Sequence, residues 1–362
     1  MSKKLFPLMA LLMIAALLLA ACGGTGAPEE PAAEEPAAEE PAAEEPMVEE
    51  AMGPSVCEVT DVGGIDDRSF NATAWAGLER AEADFGVRVA FLESQQQTDY
   101  EVNINAFVEE GCDLIVGVGF LMGDAVAAAA AANPDQDFAI IDFAYDPPLD
   151  NVAGIVFSID QAGFLAGYAA AAATQTGTVG TFGGINIPPV TAFMDGYVYG
   201  VRYHNDQKGT EVSVLGWDPE AQDGLFTGNF ESLDDGRTLG ESLMDEGADV
   251  IMPVAGPVGL GTAAAIQERG NAWIIGVDTD WTVSAAEYED VVLTSILKRM
   301  DSALYLMSED VANGSYQTEL FVGTLENEGV GIAPLTNFDG DISAELDAIV
   351  AGIIAGDIQT AP

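Results

Sequence analysis

The sequence predicts an α/β fold of two lobes, each a doubly wound parallel sheet with helices on both faces. Short apolar runs alternate with helical segments along the chain after residue 55. These runs are continuously apolar, as in strands that are buried on both faces. The series then restarts near residue 178, which indicates a second lobe. With 362 residues, the chain is long enough for two medium-sized lobes.

The first series begins with an apolar run that ends in a glycine pair, which is typical of a buried strand. A periodic segment follows it, and Gly111 is placed to end the next helix. Asn133 and Pro134 break the alanine-rich helix of this series. The predicted strands are 56–61, 88–93, 113–118, 138–142 and 154–157, and the predicted helices are 71–85, 99–110, 124–132 and 160–174.

The second series repeats the alternation of strand and helix. Its predicted strands are 178–182, 211–216, 249–253 and 273–278, and its helices are 190–204, 236–246 and 259–269. Open parallel sheets bind ligands just beyond the carboxyl ends of their strands. The residues that follow each strand are therefore the first candidates for contacts with a ligand.

The amino terminus is predicted to be a targeting segment rather than part of the fold. Lys3 and Lys4 precede an apolar stretch, and Leu19-Ala20-Ala21-Cys22 resembles a bacterial lipobox. Residues 1–22 are therefore predicted to be a lipoprotein signal peptide with Cys22 lipidated, which anchors the protein outside the cytoplasm on the cell membrane. The alternative is an ordinary cleaved secretion signal with a chance cysteine.

Residues 23–53 are predicted to be a disordered tether. Pro31-Ala32-Ala33-Glu34-Glu35 is repeated twice more, and such a tract cannot bury a core. The segment serves either as a spacer or as an interaction tail. No later window is an apolar span of about 18 residues, so no helix is expected to cross a membrane.

The composition excludes several classes of function. The 60 acidic and 11 basic residues give a net charge of −49, which repels nucleic acid. One histidine and three cysteines exclude zinc sites with several His or Cys ligands. The sequence lacks a P-loop, a nucleophile elbow and a His-Glu-x-x-His motif. We expect no cofactor, no metal and no enzymatic activity. The charge also suggests a saline habitat, because salt screens self-repulsion.

The strand ends carry unusual polar and aromatic residues. Asp61, Phe70 and Asn71 follow the first strand, and capping of the next helix accounts for Asp66 or Asp67 but not for Phe70. Phe120 follows the third strand, where it either faces a ligand or packs in the core. In the second half, Gly256, Asp278, Asp280 and Lys298 lie at or after strand ends, although Lys298 also suits an exposed helix.

These positions resemble the basic membrane protein family, the substrate-binding lipoproteins of ABC transporters that include purine nucleoside receptors. The resemblance covers about residues 55 to 335, with the motifs in the right order. The matching segments are 63–71, 164–170, 183–184, 193–200, 247–251, 276–280 and 293–298. It implies a type I periplasmic-binding-protein fold, in which two lobes are joined by a multi-strand hinge. The implied lobes are 54–158 plus about 283–333, and 159–282 plus about 334–362.

The resemblance also implies a nucleoside in the cleft between the lobes. Phe70 and Phe230 would sandwich the purine. Asp61 would accept hydrogen bonds from the edge of the base, and Asn71 would orient it. An ABC permease and its ATPase are the implied partners, and we expect a monomer because a clamshell must open and close.

The remaining implied residues bind the sugar. Asp278 would bind the ribose 2′- and 3′-hydroxyls, with Lys298 pairing beside it. Gly256 would let the backbone approach the sugar. Asp280 competes with Asp278 for the same role, because the spacing to Lys298 is loose in this sequence.

Two departures from the family pattern leave the ligand open. Trp281 stands where many relatives have an amide, and the segment 217–225 is unfamiliar, which leaves open whether Trp281 or Trp217 reshapes the pocket. The alternative functions are a sensor ectodomain and a binding protein for a sugar or another ring compound.

Cys57 and Cys112 lie near the starts of two strands that neighbour each other in a doubly wound sheet. They therefore either form a disulfide in an oxidising compartment or remain as two buried thiols.

Overall fold

The computed structural model describes residues 53–361, so the predicted signal peptide, Cys22 and the predicted tether up to residue 52 lie outside the described residues. The strands in this part are β1 Ser55–Val62, β2 Arg88–Ser94, β3 Leu114–Val118, β4 Asp137–Ile141, β5 Val152–Phe157, β6 Thr178–Gly183, β7 Ser213–Leu215, β8 Trp217–Asp218, β9 Asp223–Gly224, β10 Val250–Val254, β11 Trp273–Gly276, β12 Val292–Lys298, β13 Phe321–Gly323 and β14 Val330–Ile332. The α-helices are α1 Phe70–Phe85, α2 Tyr100–Glu110, α3 Gly123–Ala132, α4 Ile159–Ala173, α5 Pro188–Lys208, α6 Leu233–Asp245, α7 Gly259–Arg269, α8 Trp281–Ser284, α9 Met300–Asn313 and α10 Ser343–Ile354.

The first sheet has the strand order β13-β5-β4-β3-β1-β2, and all of its strands are parallel. Successive side chains of β1 point to opposite faces, so Cys57 and Val59 join a core with α2 and α3. Val56 joins the core on the other face, with α1 and α9. This arrangement confirms the doubly wound sheet that the continuous apolar runs predict.

The second sheet has the order β14-β12-β11-β10-β6-β7, with only β14 antiparallel among the pairs described. Helices α4 and α5 pack against each other at very close range. A Cβ added at Gly167 would lie 2.0 Å from the carbonyl oxygen of Tyr197, and one at Gly200 would lie 2.0 Å from that of Phe164. Because the backbones of the two helices approach so closely, only small residues fit at these contact positions.

The chain passes between the two sheets three times, after β5, after β12 and between β13 and β14. The passages are hydrogen-bonded to one another. The Ser158 amide donates to the Gly323 carbonyl at 2.8 Å, and the Arg299 amide donates to the Gly329 carbonyl at 3.0 Å. These three adjacent segments form the connection between the lobes.

One predicted boundary needs correction, because 283–333 does not lie in the first lobe as a block. Strands β12 and β14 belong to the second sheet, whereas α9 and β13 lie with the first. The reason is that the buried segment of β12 extends the second sheet beside β11 before the chain crosses. The C-terminal helix α10 packs in the core of the second lobe through Ile349 and Ile353.

Cys57 and Cys112 are joined as a disulfide, with their Cα atoms 6.2 Å apart. The bond links β1 to the residues that precede its neighbour β3. Among residues 53–361, no helix combines the length and the apolar character needed to cross a bilayer. In the same residues, no group of three or more His, Cys, Asp or Glu side chains is arranged to hold a metal ion.

Each of the nine basic residues between positions 53 and 361 forms an ion pair with a carboxylate. These residues are Arg68, Arg80, Arg88, Arg202, Lys208, Arg237, Arg269, Lys298 and Arg299. Most of these pairs are exposed and contribute little to stability. The pair between Lys298 and Asp142 is the buried one, and it lies in the cleft described next.

Candidate functional site

A cavity with about 650 Å³ of empty space lies between the two sheets, at the carboxyl ends of their strands. Asp61 and Val62 line it from the end of β1, and Phe120 lines it from the turn after β3. Asp278 and Lys298 line it from the second sheet. The residues that follow the strands in the sequence therefore line this cavity, as expected for open parallel sheets.

Eight of the nine residues predicted to bind ligand line this cavity. They are Asp61, Phe70, Asn71, Phe120, Phe230, Gly256, Asp278 and Lys298. Asp280 does not line it. Its carboxylate instead caps α8, accepting hydrogen bonds from the Thr282 amide at 3.0 Å and the Thr282 hydroxyl at 2.7 Å. Of the two carboxylates that the sequence left open, Asp278 therefore lines the cavity and Asp280 does not.

Asp61 is held by a network at the start of α1. The Asn71 side-chain amide donates to Asp61 Oδ1 at 2.9 Å and to Asp67 Oδ2 at 3.2 Å. Asp67 in turn accepts from the backbone amides of Ser69, Asn71 and Ala72, which makes it the capping carboxylate of this helix. Asn71 therefore orients Asp61. The pKa of Asp61 is raised to about 8, mainly by burial; the Asn71 hydrogen bond opposes this shift and the charge of Asp67 adds to it.

Asp278 lies on the opposite wall and is buried. Its carboxylate accepts a hydrogen bond of 2.6 Å from the Ser69 hydroxyl, which connects the second lobe to the first. Burial raises its pKa to about 6, while the positive charge of Lys298 opposes this shift. At neutral pH the carboxylate is therefore largely ionised and able to accept further hydrogen bonds.

The expected pairing of Lys298 with Asp278 needs correction. The Lys298 ammonium lies 2.6 Å from Asp142 Oδ2, which follows β4 of the first sheet, so this ion pair also bridges the two lobes. The ammonium also lies 4.9 Å from the ring centroid of Phe70 and 5.8 Å from that of Phe193. The reason for the difference is geometric. Lys298 is the last residue of β12 and Asp142 directly follows β4, and these two strand ends face each other across the cleft.

Aromatic rings form much of the remaining wall. Phe70 is the first residue of α1, and Phe120 packs on Phe143 with centroids 5.2 Å apart while lining the cavity. Phe230 enters from the loop after β9, where its ring lies directly on the backbone of Gly184. The cavity thus offers flat apolar faces together with carboxyl groups.

Neither tryptophan that departs from the family pattern lines the cavity. Trp281 is buried against Gly276, and its indole N–H donates to the Val277 carbonyl at 3.0 Å. Trp217 is buried at the base of a small hairpin, away from the cavity. Neither residue reshapes the pocket by direct contact.

Among the lining residues that the sequence did not single out as ligand contacts are Asp142 and Phe193. Asp142 directly follows β4, so the same strand-end rule would have found it. Phe193 lies inside a helix of the second lobe, and only its place within a motif shared with the family could have indicated it.

The fold and this cleft define a two-lobed solute-binding protein, in which the ligand site lies between the lobes. Residues 55–360 match the model of the Bmp family, described as PnrA-like ABC transporter substrate-binding proteins. The chain belongs to this family, which confirms the resemblance seen in the motifs. Proteins of this family bind substrates for transport, so the chain is a binding protein and not an enzyme.

Individual relatives agree with this assignment. A Listeria monocytogenes protein named CD4+ T-cell-stimulating antigen is 32% identical over 329 residues, covering 84% of this chain and 87% of that protein. The ABC transporter nucleoside-binding protein BmpA of Lactococcus lactis is 29% identical over 318 residues, covering 83% and 87%. A solved solute-binding protein of an ABC transporter system from Aeropyrum pernix superposes with a TM-score of 0.75 at 29% identity, covering 84% and 92%.

Proposed function

We propose that the cleft captures a purine nucleoside and that the protein delivers it to an ABC importer. One observation carries this proposal: Phe70 and Phe230 line the same cavity as Asp61 and Asp278. Stacking on an aromatic side chain stabilises a bound base by about 1–3 kcal/mol. A carboxylate such as Asp278 suits the two neighbouring hydroxyls of a ribose, because it accepts both of their protons.

The protonation state of Asp61 favours a purine whose edge carries a hydrogen-bond donor next to a hydrogen-bond acceptor. Because its pKa is about 8, the Asp61 carboxyl carries a proton at neutral pH and offers one donor and one acceptor. The N1–H and O6 groups of guanosine or inosine are complementary to that pair. The Lactococcus relative's name, which includes nucleoside binding, supports the same ligand class.

The charge of the lining favours a nucleoside over a nucleotide. Lys298 is already paired with Asp142, while Asp278 adds a further buried carboxylate. A phosphate group would therefore meet like charge in a site of low dielectric.

The first experiment is isothermal titration calorimetry of residues 53–362 in high salt with nucleosides, nucleotides, free bases and sugars. We expect binding of inosine or guanosine, and a loss of affinity of about tenfold to hundredfold in Phe70→Ala and Phe230→Ala. Phe91→Ala is the matched control, since Phe91 is partly exposed on β2 and does not line the cavity. Binding of sugars alone, or unchanged nucleoside affinity in both cavity variants, would contradict the proposal.

Membrane attachment is a further part of the proposal. The lipobox-like sequence ending at Cys22 supports lipidation and an extracytoplasmic location. Cells that express wild-type protein should incorporate labelled fatty acid into it and import labelled nucleoside. Cys22→Ala should abolish the labelling, and an unchanged label would refute lipidation at this residue. Nucleoside binding without any nucleoside import would instead favour the sensor alternative.

A further inference from the structure

The segment 217–225, which the family resemblance leaves unexplained, forms a small antiparallel hairpin. Its strands are β8 and β9, with Trp217 opposite Gly224. The hairpin lies immediately before the loop that carries Phe230 into the cavity. The Leu225 amide donates to the Gly216 carbonyl at 2.8 Å, so the end of the hairpin is fixed to its beginning.

Asp195 of α5 holds this hairpin in place. The indole N–H of Trp217 donates to Asp195 Oδ1 at 2.8 Å, and the side-chain amide of Gln222 donates to the same oxygen at 3.0 Å. Both Trp217 and Asp195 are buried, with exposed fractions of 6% and 8%. A buried carboxylate with two such donors makes strong, directional hydrogen bonds. The hairpin is therefore tied to a long helix of the second lobe.

A chain of packed rings and backbone hydrogen bonds leads from the hairpin to Phe230. The Trp217 ring meets Phe226 edge to face, with centroids 5.9 Å apart. A Cβ added at Gly183 would lie 2.6 Å from the ring of Phe226, and one added at Gly184 would lie 2.2 Å from the ring of Phe230. Both rings thus rest on this glycine pair at the end of β6.

The backbone of the same loop is also fixed to the glycine pair. The Thr227 amide donates to the Gly183 carbonyl at 3.0 Å, and the Gly228 amide donates to the Gly184 carbonyl at 2.8 Å. The Gly183 amide donates to the Leu225 carbonyl at 2.9 Å. The loop between the hairpin and Phe230 therefore has little freedom to move unless the hairpin moves with it.

We propose that Trp217 and Asp195 are positioning residues that hold Phe230 in place for stacking on the base of the ligand. This inference rests on the proposed function, in which Phe230 stacks on a purine. A ring that is fixed before binding loses less side-chain freedom when the ligand arrives. Trp217 and Asp195 thereby contribute to affinity for a planar base without touching the ligand.

A double-mutant cycle with inosine as the probe tests the inference. Trp217→Phe keeps an aromatic ring but removes the donor to Asp195, and we expect it to weaken inosine binding about fivefold or more. In a Phe230→Ala background the same substitution should change the affinity by less than about twofold, because the ring that it positions is gone. A general effect on the fold would persist in both backgrounds.

Two variants of Asp195 complete the design. Asp195→Asn keeps an oxygen that accepts from Trp217, so inosine affinity should stay near the wild-type value. Asp195→Leu removes the acceptor and should reproduce the loss seen with Trp217→Phe, again only when Phe230 is present. These variants keep the test decisive if Trp217→Phe fails to fold, which circular dichroism would show.

The outcomes separate the inference from the proposed function. If Phe230→Ala itself leaves inosine binding unchanged, the stacking role in the proposed function is refuted. If Phe230→Ala weakens binding but Trp217→Phe or Asp195→Leu acts equally in both backgrounds, the positioning role is refuted while stacking stands.

Discussion

Glu58 lies in the middle of β1 with no exposed surface, between Phe91 of β2 and Val116 of β3. Within the described residues, neither of its carboxyl oxygens has a hydrogen-bond partner. Burial raises the pKa of Glu58 well above its usual range, and the nearby charge of Asp67 raises it further. The native protein should therefore hold Glu58 in its neutral form, whereas the unfolded chain ionises it above about pH 4.3.

This difference makes wild-type stability depend on pH in a defined direction. Because the pKa is higher in the folded state, the contribution of Glu58 is fully present below about pH 4.3 and is lost as the pH rises toward the folded value. The loss is about 1.4 kcal/mol for each pH unit over which the native carboxyl keeps its proton. Glu58→Gln, which is neutral at every pH, should therefore become more stable relative to wild type by about 1.4 kcal/mol between pH 5 and pH 6.

Urea unfolding in high salt at pH 5, 6 and 7 measures this difference. Glu79→Gln is the matched control, because it makes the same chemical change at an exposed site on α1. The stability of the control relative to wild type should vary little with pH. A difference between Glu58→Gln and wild type that is the same at all three pH values would refute the reasoning, since Glu58 would then be ionised in the native protein.

Three further outcomes are expected. Lys298→Met should reduce the free energy of unfolding by about 3–5 kcal/mol, because it leaves Asp142 as a buried, unpaired charge. Adding Asp142→Asn to this variant should restore most of the lost stability. If the effects of the two substitutions simply add, the pairing is contradicted. Because Asp278 must be ionised to accept from both ribose hydroxyls, nucleoside affinity by calorimetry should fall about tenfold per pH unit below about 6, and a flat profile would remove this residue from the sugar site. The thermal midpoint of residues 53–362 should rise from 10 mM to 1 M salt, and equal midpoints would undermine the saline-habitat hypothesis.

Much of the fold could be predicted because burial on both faces leaves a strong pattern in the sequence. The apolar runs at β1, β3 and β4 were placed within one or two residues, and α7 was placed at its observed bounds. The lobe boundary near β12 is harder to predict from the sequence. Its residues 292–298 look the same whichever sheet they extend, so only tertiary pairing decides where the strand goes.

The candidate site shows the same division between local and tertiary information. Asp61, Asp278 and Lys298 lie at or after strand ends in the sequence, and all three line the same cavity. The partner of Lys298 could not be predicted, because Asp142 is 156 residues away in the chain and belongs to the other lobe. The hairpin at Trp217 was also missed, since strands of two residues carry no periodicity that a sequence could reveal.

The pairing of every cation in residues 53–361 has a consequence for encounters between molecules. After residue 53 the chain has 50 acidic and 9 basic residues, and each basic residue is already paired with a carboxylate. Two copies that approach each other therefore present acidic surfaces to one another. Their electrostatic repulsion extends over about 10 Å in 0.1 M salt and about 3 Å in 1 M salt. The distance at which two copies begin to repel each other is therefore set by the ionic strength of the medium, and it is several times longer in dilute buffer than in brine.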